Sequence, residues 1–553
     1  MTTWNERAND GWPPGWRAAE AQLTNGLAAV VVEAPAARQS RLALGVGVGY
    51  LDEPAPYPGL AHLLEHALFL GSLPGSRSDS ASLAGWVGAR GGRYNAHTDE
   101  EATDYHLTLP PAATAEGLKR LLSLVASPRF QTDVIDHEVS VIDAEFQARL
   151  ADPALHRQAA LSRLCLASHP ARFCHAGNRA TLGGDAASLC RALSDFHEQH
   201  YRAGCMALVM LSPLALSEQQ ALIETAATPL ATGGSPPRRT WCWADEGNGA
   251  QPRGIRWASP TGERTLELLW PVPPHSMPDQ QRVLERIVAA LMNGELATTL
   301  TYRGWLRDLT ATTDATGSAL SLTLTLTAAG CENVATMLAT CQAAVHKLAN
   351  QADSLVDSSL SHTVDLDRWS IEQVRKLARD RSADMHGESM PSLSDQTMLA
   401  TWLASRRCRV LEAVAAFDSE SLQAPVTGTR YQSFAVSPEC ATPLALIRPP
   451  TLEPRRLAPL EPQVPLRRLS SDGAATLWHG GGPTVAEASL CLGWPSDTIE
   501  QEARLRQWQR ASLVLRQAAA SQGVILTLGG DAQGDWLIAQ GQAALLESVA
   551  TQA

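Results

Sequence analysis

Residues Gly59-Leu60-Ala61-His62-Leu63-Leu64-Glu65-His66 carry the pattern H-x-x-E-H inside an apolar run. Such a run reads as a helix. On a helix, positions four apart project from one face, one turn above the other. His62 and His66 therefore present two imidazoles at the spacing that grips one metal ion. Glu65 lies beside that face. A zinc ion with three protein ligands and an open fourth position lowers the pKa of bound water to about 7. A nearby carboxylate can then take the proton as the hydroxide attacks a carbonyl. Two competing readings are an accidental five-residue match and a buried helix whose histidines only satisfy hydrogen bonds. The neighbouring sequence decides between them.

Beyond the motif come Phe69-Leu70-Gly71-Ser72 and then Gly91-Gly92-Arg93-Tyr94-Asn95-Ala96-His97-Thr98. The whole stretch resembles the inverzincin metallopeptidases, the insulysin and pitrilysin family with its relatives the mitochondrial processing peptidases. That family carries G-x-A-H-x-x-E-H-x-x-F-x-G followed by G-G-x-x-N-A-x-T at about this distance. The resemblance covers about the first 200 residues. It implies a zinc peptidase with Glu65 as the proton-moving residue and one zinc ion per chain. It also implies an α+β fold of repeated domains, each a mainly antiparallel sheet with helices packed on one face.

Two histidines leave a catalytic zinc one ligand short, and a carboxylate on another element usually completes the set. The family places a glutamate there, on a second helix, in a pattern close to E-x6-E. The run Asp136-His137-Glu138-Val139-Ser140-Val141-Ile142-Asp143-Ala144-Glu145 fits it. Glu138 and Glu145 are seven apart and share a helical face. By resemblance Glu145 is the third metal ligand, and Glu138 supports the site from outside it. Asp143 and His137 are near enough in sequence to compete. His137 points elsewhere on the helix and is left aside.

The segment around Asn95 has a separate implied role. In the family it is an edge strand to which the substrate peptide adds by main-chain hydrogen bonds, a mode that reads little sequence. Asn95 and Ala96 are therefore candidate substrate contacts, and a plain turn is the alternative. Tyr105-His106-Leu107-Thr108-Leu109 reads as a strand, and Gly91-Gly92 permits a bend or a close backbone approach. His169, His175, His197 and His200 fall in stretches that also resemble the family and read as structural or surface residues.

The chain has 553 residues, 44% of them hydrophobic, enough for several domains. A net charge of −12 argues against a nucleic-acid surface. The start, Met1-Thr2-Thr3-Trp4-Asn5-Glu6-Arg7, has neither a basic nor an apolar region of a signal peptide, and no apolar run reaches transmembrane length. Ten cysteines lie without C-x-x-C spacing, so no disulfide framework is expected and the cytoplasm is the default location.

Punctuation divides the chain into an N-terminal zinc-peptidase domain over residues 1–228 and a second, non-catalytic domain of the same type over 240–436. A Pro-rich linker over 437–466 and a partial third domain over 467–553 complete it. Pro229–Pro237 reads as a linker between the first two. Leu320, Leu322, Leu324 and Leu326 alternate with Ser321, Thr323, Thr325 and Thr327, the period of a half-buried strand. A helix follows over 332–348, and another is expected near Ala543. Pro438 to Pro465 holds eight prolines and resembles the linker that joins the two halves of one-chain family members.

Within the family the texture is most like the branch that acts in pyrroloquinoline quinone (PQQ) biosynthesis, on a small precursor peptide. The alternative is a general oligopeptidase of the insulysin or pitrilysin type. The family places an arginine and a tyrosine in its last domain, in a stretch resembling L-R-x-x-x-x-L-G-Y. No tyrosine follows Tyr431 here. The expectation is a chain that lacks a C-terminal half or is completed by a second, motif-free subunit, without which it is inactive. Nucleic acid and membrane are not expected partners.

Overall fold

The computed structural model describes residues 2–7, 15–70, 83–165, 169–237, 254–272, 280–313, 319–351, 370–371, 374, 401, 403, 408–417, 419–436 and 441–447, together with strands at 467–471, 476–481, 488–494, 524–531 and 534–541. Gly71 and Ser72, most of the Pro-rich 437–466 stretch and the helix expected near Ala543 lie outside these residues. The chain divides into two compact units, one of Met1–Ala244, Thr363–Ser389 and Ala424–Thr429, the other of the remainder.

The first unit is built on a seven-stranded sheet. Its strands are β1 (Asn5–Glu6), β2 (Arg17–Gln22), β3 (Ala28–Glu33), β4 (Ser40–Val46), β5 (Arg93–Thr98), β6 (Thr103–Leu109) and β7 (Met206–Ser212). The spatial order is β1-β2-β3-β7-β4-β6-β5, with β3 and β7 parallel and every other pair antiparallel. All seven residues of β7 are buried, as a strand covered on both faces requires. The helices are α1 (Leu60–Leu70), α2 (Leu83–Gly88), α3 (Thr114–Ala126), α4 (Thr132–Arg149), α5 (Pro153–Leu161), α6 (Ala186–His200) and α7 (Leu216–Ala226).

Helix α1 buries Leu60, Leu63, Leu64, Ala67 and Leu68 in one core with Leu42, Leu44 and Tyr105 of the sheet. These positions recur at three and four, so the apolar stripe faces the sheet and the polar set His62, Glu65 and His66 is turned away from it. Helix α4 buries Ile135, Val139 and Ile142 in the same core. Two helices that share a core thus bring their polar residues together.

The second unit repeats the plan. Strands β8 (Gly254–Ala258), β9 (Thr265–Pro271), β10 (Leu306–Thr313), β11 (Ala319–Leu326), β12 (Arg409–Val414), β13 (Leu422–Gln423) and β14 (Arg430–Phe434) form a sheet of order β10-β11-β9-β12-β8-β14-β13. Again one pair, β8 and β12, is parallel. The run β5-β6-β4-β7-β3 of the first sheet and β10-β11-β9-β12-β8 of the second place their strands in the same chain order. Where the first unit carries α1, between β4 and β5, the second carries α8 (Gln280–Asn293) and α9 (Glu295–Tyr302), neither of which holds a histidine. Helices α10 (Ala328–Glu332) and α11 (Val334–Ala349) follow β11, whose leucines are buried in strict alternation as their period requires. A third, antiparallel sheet has the order β15-β16-β17-β19-β18, from β15 (Arg467–Ser471), β16 (Thr476–Gly481), β17 (Ala488–Trp494), β18 (Val524–Asp531) and β19 (Gly534–Gly541).

One expectation is corrected. Pro229–Pro237 is not a free linker, because its backbone is sewn to the first unit. Ala203 N–H donates to Ala231 O (2.8 Å), Gly204 N–H to Gly233 O (2.7 Å) and Gly233 N–H to Asn25 O (3.0 Å). Glycine and proline there exclude helix and strand without excluding packing. Among the described residues no helix is long and apolar enough to cross a membrane.

Candidate active site

The sequence pattern fixes His62 and His66 on α1, and the fold supplies their surroundings. The two rings meet edge to face, with centroids 4.8 Å apart. His62 Nδ1 lies 2.9 Å from the Ala176 carbonyl oxygen. A carbonyl only accepts, so Nδ1 carries the proton and Nε2 keeps its lone pair. His66 Nδ1 lies 3.1 Å from Glu138 Oε2, and a carboxylate that accepts there fixes the same tautomer. Both Nε2 atoms then point to one place, where Glu145 waits. Its Oε2 is 3.9 Å from His62 Nε2 and its Oε1 is 3.9 Å from His66 Nε2.

This donor set fits a metal ion. One donor atom from each of His62, His66 and Glu145 lies within 4.8 Å of the others. A tetrahedral zinc with bonds near 2.05 Å spaces its donors about 3.3 Å apart. The Glu145 side chain is 47% exposed, so packing does not enclose it on all sides. Two imidazoles and a carboxylate are the ligand types of hydrolytic zinc sites.

Glu138 is 6% exposed and touches His66 without reaching the donor cluster, the place expected of a residue that orients a ligand. Asp143 accepts from Arg179 N–H at 3.0 Å and is not among the clustered donors. His137 is exposed and is not among the clustered donors.

Glu65 sits on the same helix and receives a hydrogen bond from Thr98 Oγ1 at 2.6 Å. Beneath it, the Tyr105 and Tyr201 hydroxyls are 2.9 Å apart, and burial raises both phenols well above their usual range. Glu65 therefore stands over groups that stay uncharged.

Asn95 and Ala96 lie on β5, not in a turn. Among the described residues β5 is an edge strand, paired on one side with β6 in the register Asn95↔His106 and Ala96↔Tyr105. Its entry is set by Gly91, whose φ of +67° lies in the left-handed region that glycine tolerates. A cavity of about 850 Å³ opens above the cluster, and its lining includes His62, Glu65, Ala96, Thr98, Glu145 and Phe173. The end of the open strand thus runs into the cavity that holds the histidines. Phe173, 45% exposed, gives that cavity an apolar patch.

His169, His175, His197 and His200 have structural partners. His197 Nε2 contacts the Val125 carbonyl at 2.7 Å, and burial lowers its pKa. His169 accepts from Ala171 N–H, and His200 packs on Phe196. His175 pairs with Glu53 at 2.5 Å, and that carboxyl is pushed up by burial, against the pull of His175 and two backbone N–H groups.

Two contributors were not singled out from the sequence: the Thr98 hydroxyl, which is the last letter of N-A-x-T, and the Ala176 carbonyl, a backbone group far along the chain from His62.

The family model described as Insulinase (Peptidase family M16) matches residues 28–171, a span that contains all the donors. "Coenzyme PQQ synthesis protein F" of Pseudomonas putida is 39% identical over 216 residues, which cover 39% of this chain and 28% of that protein. "Protease 3" of Escherichia coli is 34% identical over 199 residues, 36% of this chain and 20% of that protein. The chain therefore matches less than a third of the length of either relative. The crystal structure of pitrilysin superposes with a TM-score of 0.72 at 20% identity, covering 99% of this chain and 64% of that one, which establishes the shared fold.

Proposed function

We propose that the chain is a peptidase of the insulinase type, whose family model matches residues 28–171, and that its first unit hydrolyses peptide bonds at a zinc ion held by His62, His66 and Glu145. The observation that carries this reading is the convergence of two Nε2 atoms on Glu145, each with its Nδ1 tied behind it. Zinc would supply Lewis acidity for the carbonyl and for a coordinated water. Glu65 accepts the proton released in the attack and returns it to the leaving amine. Thr98 fixes the rotation of that carboxylate by holding Oε2. The open side of β5 at Asn95 and Ala96 offers backbone groups to an extended peptide, which enters as an added strand. Glu138 holds His66 in the tautomer that leaves Nε2 bare.

Similarity to a protein named for coenzyme PQQ synthesis supports the narrower reading, a small precursor peptide of that pathway as substrate. Similarity to Protease 3 supports the wider one, a general oligopeptidase. A second polypeptide of the same fold, lacking the metal residues, is the proposed partner. The second unit supports it, since the same strand order stands there without histidine on α8 or α9. The proposed division is 1–228, 240–436, 437–466 and 467–553, with residues 229–237 packed on the first span, which carries the chemistry.

The deciding assay is cleavage of a precursor peptide and of an unrelated oligopeptide, with and without a chelator. Loss of cleavage with chelator and recovery with zinc is the expected outcome. Cleavage that survives complete metal removal refutes the proposal. Equal rates on the two peptides favour the general oligopeptidase.

A further inference from the structure

We propose that the buried pair Glu53–His175 positions the metal site, by fixing both the start of α1 and the carbonyl that orients His62. The inference rests on the metal-site reading above. Neither residue belongs to the donor cluster, so both act through others.

The side chains of Glu53 and His175 are 1% and 6% exposed. Glu53 Oε1 accepts from Ala61 N–H at 2.7 Å, and Oε2 accepts from Gly59 N–H at 2.8 Å. The opening N–H groups of a helix have no partner within it, and the residue just before it usually caps them. Here that residue is Gly59, which has no side chain to offer. Glu53 does the work from outside the helix. The same Oε2 meets His175 Nδ1 at 2.5 Å, a contact that carries one proton whichever partner holds it. His175 Nε2 lies 2.7 Å from the Pro170 carbonyl, so it donates there. The Tyr50 ring stacks on the imidazole at 4.8 Å, and its hydroxyl donates to Glu100 at 2.9 Å. Both nitrogens and one face of His175 are engaged.

The next residue closes the circle. Ala176 follows His175 and holds His62 Nδ1, while Ala61, held by Glu53, precedes His62. A ring of contacts therefore runs Glu53, Ala61, His62, Ala176, His175 and back. Gly59 and Gly177 let the two halves meet, since a Cβ on Gly59 would stand 2.4 Å from the Gly177 Cα. Slack in the Glu53–His175 contact turns the His62 ring and moves its Nε2 away from Glu145. Outer partners of metal ligands typically contribute about 10–100-fold in affinity.

The test measures zinc affinity of the full chain by competition with a chromogenic chelator, alongside thermal unfolding of the metal-free protein. The parent is expected to bind one zinc, and His62→Ala to lose it. His175→Asn keeps a donor where Nδ1 stood and should hold zinc within about threefold of the parent. His175→Leu, and His175→Gln, whose donor sits where Nε2 stood, should weaken it by about tenfold or more. A folded His175→Leu protein that binds zinc like the parent overturns the inference, whatever its melting temperature. Should His175→Leu not fold, equal zinc affinity of the Asn and Gln variants overturns it instead. A parent that binds no zinc fails the metal-site reading itself, and the inference with it.

Discussion

At the scale of single residues, the division of labour between two glutamates is open to direct test. Glu145 approaches both Nε2 atoms, whereas Glu65 is held by Thr98 beside them. Glu145→Gln removes a charged donor, and metal analysis of that variant should show much weaker zinc binding. Retention of stoichiometric, tight zinc would remove Glu145 from the ligand set. Glu65→Gln should keep the metal and lose turnover by about 10²–10⁴-fold, the usual cost of a missing general base. Near-normal cleavage by a preparation free of other peptidases would refute its role. Both residues were legible because helical spacing and a family pattern name them. Glu53 was not, because nothing near Asp52-Glu53-Pro54 announces that its carboxylate will cap a helix and grip His175.

At the scale of elements, legibility followed periodicity. The leucines of β11 and the apolar stripe of α1 wrote their own structures, because each face needs a partner of matching period. Pro229–Pro237 misled, because composition reports what a segment cannot be and not what it touches. The role of β5 fell between these cases. N-A-x-T pointed to an edge strand, and pairing on one side only among the described residues gives that edge physical meaning. A proline at 96 would remove a backbone donor and distort the strand. Ala96→Pro is expected to raise KM for a peptide while zinc content stays intact. An unchanged KM would count against strand addition. The helix behind the site has its own test, since Leu64 on α1 is fully buried. Leu64→Ala should cost about 2–5 kcal/mol of stability by denaturant unfolding, and a cost under about 1 kcal/mol would mean that α1 is not anchored as described.

At the scale of the whole molecule, the donors tie together parts of the chain that are distant in sequence. His62 and His66 stand on α1 and Glu145 on α4, with α2, β5, β6 and α3 between them. An ion that binds only the folded form stabilises it by about 4 kcal/mol at a thousandfold excess over its Kd. The melting temperature of the chain should therefore fall with chelator and recover with zinc. Identical melting with and without metal would mean that the three residues are not joined by it. The meeting of Gly59 and Gly177 carries a consequence of another kind. Neither position offers a functional group, so neither would attract attention in a search for chemistry. In a library of random variants sorted for activity, these two blanks should admit fewer amino acids than the exposed turns of α4 beside Glu145. Heredity would then guard an empty space as closely as it guards a ligand.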